Sequence, residues 1–153
     1  MAATSAVRHV DLAPDRAWAL WTDLNRWPTF VEGFGHVLEQ RGEWPEQGAR
    51  VVWMSTPGGR GRVTEKVTAS SPGAAFATQV FEKSVAGTQL LSFEPAEDGR
   101  TRVEMRLDYE LVTGGPLRGL ADVLFIRRAL NQALARTLAR FATEAAEEAS
   151  LDP

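Results

Sequence analysis

The sequence predicts an α+β fold in which a long C-terminal helix packs over an antiparallel sheet of six or seven strands. Three observations predict this fold. Apolar residues in 116–148 recur at the spacing of one amphipathic helix. Residues 35–112 contain successive strand-like segments separated by turn sequences rich in glycine and proline. Connections this short join neighbouring antiparallel strands rather than parallel ones.

Composition and charge are those of an ordinary globular chain. Of the 153 residues, 44% are hydrophobic and 24% charged, and we expect one domain over 1–153, ordered from about 5 to 148 with flexible tails. The net charge of −3 offers no basic field for nucleic acid. There is no cysteine, no signal peptide pattern and no membrane-span window, so we expect a cytoplasmic protein.

The N-terminal part is predicted to form one strand and two short helices. Alternating apolar and polar residues predict the first strand over 5–12. Pro14 then indicates the start of a helix that ends near Thr22, because proline suits a first helical turn. A second helical turn is predicted over 25–31, and the glycines that begin at Gly33 return the chain to extended structure.

Six further strands are predicted from turn signals and alternation. They cover residues 35–40, 50–55, 61–69, 75–83, 88–94 and 103–111. The last has the clearest pattern, because Val103, Met105, Leu107, Tyr109 and Leu111 alternate with charged residues. That alternation predicts one buried face and one face in water.

The long C-terminal helix is predicted to begin at Pro116. Its apolar stripe consists of Leu120, Leu124, Leu134, Leu138, Phe141, Ala142 and Ala145. Two polar residues, Arg127 and Asn131, fall near the middle of this stripe. A long helix with an apolar face must cover another element, so we expect it to cover the apolar face of the sheet. The two short helices should then fill one end.

Several segments of the chain resemble one superfamily. They are Ala13-Pro14 with Trp18 and Trp21, the segments 21–28, 61–67 and 99–103, and the leucine- and arginine-rich terminal helix. Together they resemble the START-like, or SRPBCC, superfamily of birch-pollen allergen and lipid-transfer domains, and within it the bacterial polyketide cyclase/dehydrase group. The resemblance implies a helix-grip fold, in which a curved sheet and the long helix enclose a mostly apolar cavity. It implies no single function, because the superfamily includes carriers, aromatases/cyclases, coenzyme-Q-binding proteins and folding cofactors.

Large apolar side chains supply a candidate lining for such a cavity. The expected apolar lining residues are Trp27, Phe30, Phe34, Trp53, Met105, Tyr109 and Leu124. For each aromatic residue the alternative is a place in the packed core without ligand contact.

Glu65 is the strongest candidate for chemistry. Alternation with Val63 and Val67 places its carboxyl on the inward face, where burial without a partner raises a carboxyl pKa. Arg127 could supply the charge partner and Asn131 a hydrogen bond, which would create a polar spot that orients a ligand oxygen. The alternatives are a structural ion pair, or an Arg127 that extends to the helix flank.

Tyr109, the only tyrosine, is a second candidate. In polyketide cyclases, inward tyrosine, arginine and carboxylate groups position the poly-β-ketone chain, and the resemblance implies Tyr109, Arg127 and Glu65 as the analogous catalytic set. The alternative is a tyrosine that forms cavity wall without chemistry.

Metal and phosphate sites are not predicted. His9 and His36 lack ligand spacing, so no metal and no cofactor is expected. The glycines of segment 58–62 lack the strand–loop–helix context of a phosphate-binding loop. We interpret this segment as a hairpin turn, or alternatively as a flexible lip of the cavity that carries Arg60.

The leading functional hypothesis is binding, transport or sequestration of a hydrophobic small molecule such as a lipid, isoprenoid or polyketide-like aromatic. The enzymatic alternative is a polyketide aromatase/cyclase or dehydratase that uses acid/base groups in the same cavity. A third class is an interaction module with an exposed apolar patch. The expected partner is a small hydrophobic ligand and not nucleic acid, and the chain is expected as a monomer or homodimer.

Overall fold

The computed structural model describes residues 2–112 and 119–151 and contains, within them, one seven-stranded antiparallel sheet. The strands are β1 Ala2–Val10, β2 Phe34–Arg41, β3 Arg50–Ser55, β4 Arg62–Ser71, β5 Ala75–Phe81, β6 Val85–Pro95 and β7 Thr101–Leu111. The helices are α1 Pro14–Thr22, α2 Trp27–Phe30 and α3 Leu120–Ser150. The predicted α+β fold is confirmed.

The sheet is an open antiparallel meander, and the first strand lies at one of its edges. Strands β2 to β7 follow one another in space, and β1 pairs with β7 at the end of the series. The two largest differences from the predicted strand boundaries are at strand starts, because β1 begins at Ala2 and β6 at Val85. The second difference follows from a tight β5–β6 turn, in which the Glu82 N–H donates to the Val85 carbonyl. The predicted start of the long helix, Pro116, lies outside the described residues.

The inner face of the sheet and residues 130–145 of α3 form the core. The alternation predicted for β7 is confirmed, since Val103, Met105, Leu107 and Tyr109 are all buried. On α3 the buried positions are Leu130, Leu134, Thr137, Leu138, Phe141 and Ala145, which recur at helical spacing.

The predicted apolar stripe of α3 is wrong at its N-terminal end. Leu124 is 54% exposed, and Arg127 and Asn131 are exposed as well. Grooves open to solvent border this part of the helix on two sides, at Phe125 and at Arg127. Periodicity therefore identified the buried face of the helix correctly, but it did not identify which turns of the helix are buried.

An aromatic cluster fixes the two short helices against α3. Trp21, Phe30 and Phe141 have ring centroids 5.1 to 5.3 Å apart. Outside this cluster, Arg26 forms ion pairs with Glu144 at 2.7 Å and with Glu148 at 3.0 Å. The C-terminal half of α3 is thus tied to α1 and α2.

Two phenylalanines on α3 test this division. Phe141 is fully buried, so Phe141→Ala should lower the free energy of unfolding by about 3–5 kcal/mol. Phe125 is 72% exposed, so Phe125→Ala should change it by less than about 0.5 kcal/mol. Chemical denaturation of both variants measures the difference, and equal losses would contradict the described packing of α3.

Candidate functional site

The site is built around Glu65 on β4. Its side chain faces inward between the buried Val63 and Val67, as the alternation predicted, and the residue is 5% exposed. Trp53 on β3 donates its indole N–H to Oε2 at 2.8 Å. Thr78 on β5 places its hydroxyl 3.0 Å from Oε1. The two strands that flank β4 therefore each supply one partner to the carboxyl group.

Burial governs the protonation of this carboxyl group. Loss of hydration raises the pKa of Glu65, while the Trp53 hydrogen bond, the positive charge of Arg60 and the Thr78 hydrogen bond act in the opposite direction. An indole N–H can only donate, whereas the Thr78 hydroxyl can donate to Oε1 or accept a proton from it. Both the neutral acid and the carboxylate are accommodated, and burial favours the neutral acid.

Glu65 lines a small internal space, the inner cavity, of about 30 Å³. The wall on the sheet side includes Trp53 and Met105, and the wall on the helix side includes Trp21, Trp27 and Thr137. Since one water needs about 10–15 Å³, this space alone holds about two waters and no larger ligand.

A larger groove lies outside the inner cavity. This outer groove, of about 380 Å³, is bounded by the loop at Gly58, Gly59 and Arg60, by the turn that includes Glu82 and Lys83, and by one face of α3. Its apolar side consists of Val85, Phe125, Ile126, Ala129, Leu130 and Ala133. The volume is in the range of small-molecule sites.

Three side chains separate the two spaces. Arg60, Leu130 and Ala133 line both the inner cavity and the outer groove. Arg60 donates from Nε to Glu82, whose side chain is only 7% exposed, and its guanidinium carbon lies 5.3 Å from the centroid of the Trp53 ring. The segment interpreted as a hairpin turn or cavity lip therefore places a cation next to the site.

The predicted pairing of Glu65 with Arg127 is wrong. The cation that acts on Glu65 is Arg60, while Arg127 is exposed and lines a separate groove with Tyr109 and Ala2. Arg127 is exposed at the flank of α3, as in the alternative in which its side chain extends to the helix flank. The expected set of Glu65, Tyr109 and Arg127 is consequently divided between two spaces.

The other predicted site residues are distributed as follows. Trp27, Trp53 and Met105 line the inner cavity with Glu65. Phe30 packs against Trp21 and Phe141, and Phe34 packs on Trp53 at 5.1 Å, so both lie behind the lining. Leu124 and Asn131 are exposed on α3 and line neither space.

Sequence reasoning did not include Trp21, Arg60 and Thr78 among the site residues. Thr78 could have been found, because it alternates with the buried Phe76 and Val80 on β5. Arg60 lies in a loop, where no periodicity reports side-chain direction.

Neither a cluster of metal-ligating side chains nor a membrane-spanning helix occurs in the described part of the chain. Residues 2–112 and 119–151 contain no group of three or more acidic or histidine side chains that could hold a metal ion. Over the same residues, no helix is long and apolar enough to cross a membrane.

Comparison with solved structures supports the fold. A Thermus thermophilus protein, TTHA0849, is 18% identical with a TM-score of 0.76, over 99% of this chain and all of the other. The Zhui aromatase/cyclase of a Streptomyces species is 15% identical with a TM-score of 0.79, over 94% and 93%. Truncated norcoclaurine synthase of Thalictrum flavum is 14% identical with a TM-score of 0.68, over 92% and 91%.

Comparison with curated proteins gave no match. A family model described as "Polyketide cyclase / dehydrase and lipid transport" matches residues 1–146, which is nearly the whole chain. The chain therefore belongs to the polyketide cyclase/dehydrase and lipid transport family, with the helix-grip fold that its sequence resemblance implied.

Proposed function

We propose that the protein binds a hydrophobic small molecule, such as a lipid, an isoprenoid or a polyketide-like aromatic, in the outer groove and the inner cavity together. The observation that carries this proposal is the buried carboxyl group of Glu65 in the wall of the inner cavity, held by Trp53 and Thr78. A buried ionisable group is costly for folding, and a ligand-orienting role explains its presence in the cavity wall.

The inner cavity and the outer groove together suit one ligand better than either space does alone. The inner cavity has the polar group but holds only about two waters, whereas the outer groove has the volume but an apolar wall on α3. Displacement of the loop that carries Arg60, or of α3 at Leu130 and Ala133, would join them, because these residues line both spaces.

Glu65 orients the bound ligand. In the neutral form its O–H donates to a carbonyl or hydroxyl oxygen of the ligand, while Trp53 keeps Oε2 in place. The apolar remainder of the ligand then extends along the groove face of α3, which includes Ile126, Ala129 and Phe125.

One observation favours a second candidate, an aromatase/cyclase or dehydratase. A carboxyl group with a raised pKa is the usual form of a general acid that works near neutral pH, and Glu65 has that property. In this candidate Glu65 would transfer its proton to the substrate oxygen. Tyr109 and Arg127 would take no part, because they line a different groove.

Glu65→Gln tests the protonation of the site. The pKa of Glu65 is raised by burial from its ordinary value of 4.5, so the folded protein keeps this proton at pH values where the unfolded chain has lost it. Wild-type stability should therefore fall as pH rises from about 4.5 towards the folded pKa, by up to about 1.4 kcal/mol per pH unit. Glu65→Gln has no carboxyl group at this position, so its stability should not fall in this way.

Thermal unfolding of the wild type and of Glu65→Gln between about pH 4 and pH 9, a window that begins below the ordinary pKa of 4.5, measures the effect. The Tm advantage of Glu65→Gln should grow with pH, by about 2–4 °C for each kcal/mol. A Tm difference that stays constant over this range would show that Glu65 titrates alike in the folded and unfolded states.

Binding itself can be tested with the dye 1-anilinonaphthalene-8-sulfonate. The dye combines an apolar ring system with an anion that suits the Arg60 and Lys83 side of the outer groove. Ala133→Phe fills the wall between the two spaces and should weaken dye binding at least about tenfold. Ala139→Phe is the matched control, since Ala139 is also a half-buried alanine of α3 but lines neither space.

Fluorescence titration gives the dye affinity, and native mass spectrometry of the gently purified protein reports any compound that co-purifies. A wild-type protein that does not bind the dye, or equal affinities in the two alanine variants, would contradict the proposed site.

A further inference from the structure

Trp21 has a buried indole N–H without an acceptor among the described residues. The other four tryptophans all donate: Trp18 to the Ala75 carbonyl, Trp27 to the Trp21 carbonyl, Trp44 to the Thr22 carbonyl and Trp53 to Glu65, at 2.7 to 2.9 Å. Trp21 is 1% exposed, so water outside the protein does not reach its ring. A buried donor left without an acceptor costs about 1–3 kcal/mol, which makes Trp21 an exception that requires a reason.

The surroundings of Trp21 keep its ring in place. It lies in the last turn of α1, with the Phe30 ring at 5.2 Å and the Phe141 ring at 5.3 Å. The same residue lines the inner cavity together with Thr137. Thr137 Oγ1 already accepts the Glu32 N–H at 3.0 Å, so the Thr137 hydroxyl proton is also available to donate. Two residues that line the helix side of the cavity, Trp21 and Thr137, therefore carry hydrogen-bond donors.

We propose that Trp21 is a ligand-binding residue whose Nε1–H donates a hydrogen bond to an acceptor oxygen of the bound molecule. This inference rests on the proposed function and narrows its ligand class. Glu65 contacts the ligand from β4 and Trp21 contacts it from α1, so the site selects apolar compounds with a carbonyl-type oxygen placed towards the short helices. An apolar compound of the same shape without that oxygen leaves the Trp21 donor unpaired and binds less well.

Two probes of matched shape test the selection. 2-Acetylnaphthalene carries a carbonyl oxygen, and 2-isopropenylnaphthalene replaces it with a CH₂ group. In ¹⁵N-labelled wild-type protein, each of the five tryptophans gives one indole N–H resonance, which can be assigned without any substitution. The ketone should shift the Trp21 resonance to higher proton frequency, whereas the alkene should not. The ketone should also bind about five- to tenfold more tightly, as expected for one additional hydrogen bond.

Two variants distinguish the contribution of the Trp21 hydrogen bond to ligand binding from that of its aromatic ring. Trp21→Phe removes the donor and should abolish the preference for the ketone. Trp18→Phe is the matched control, because the Trp18 N–H is bonded to Ala75 and its ring does not line the cavity, and it should keep the preference. If Trp21→Phe fails to fold, the wild-type titration decides the question alone.

The outcomes distinguish this inference from the function on which it rests. If both probes shift the Trp27 and Trp53 resonances while Trp21 responds to neither, or if they bind equally, the role of Trp21 is refuted and the binding site stands. If neither probe shifts any indole resonance, the proposed function fails together with this inference.

Discussion

Burial of the Glu65 carboxyl group between β3 and β5 is the constraint from which the rest of the site follows. Its two buried oxygens require hydrogen-bond partners, and the sheet register supplies them from the adjacent strands as Trp53 and Thr78. Holding Trp53 in this way also fixes the ring over which the Arg60 guanidinium lies. Arg60 in turn pairs with Glu82, so one buried carboxyl group is connected to the loop and the turn that border the outer groove.

The two ends of α3 have different surroundings. Its C-terminal half is held by the aromatic cluster of Trp21, Phe30 and Phe141 and by the ion pairs of Arg26. Its N-terminal half borders open grooves and presents exposed apolar side chains. The turns of α3 that precede Leu134 therefore border the outer groove, where they can contact a ligand.

The sequence was informative wherever periodicity alone decides the outcome. Alternation on β4 and β7 correctly placed Glu65 and Met105 inward, because neighbouring residues of a strand must face opposite sides. The 3.6-residue period could not show that Leu124 and Arg127 are exposed on α3, since the exposure of each helical turn depends on tertiary packing. Arg60 and the unpaired N–H of Trp21 depend on a loop conformation and on the absence of a nearby acceptor, and neither property leaves a pattern in the sequence.

The central claim, that burial in the cavity wall raises the pKa of the Glu65 carboxyl group, can be measured at the carboxyl carbon itself. A ¹³C NMR titration of the Glu65 side chain, assigned by difference from Glu65→Gln, reports its ionisation directly. Our account predicts a midpoint clearly above the ordinary pKa of 4.5. A midpoint at or below 4.5 would show that the hydrogen bonds and the charge of Arg60 outweigh burial, and it would contradict the account.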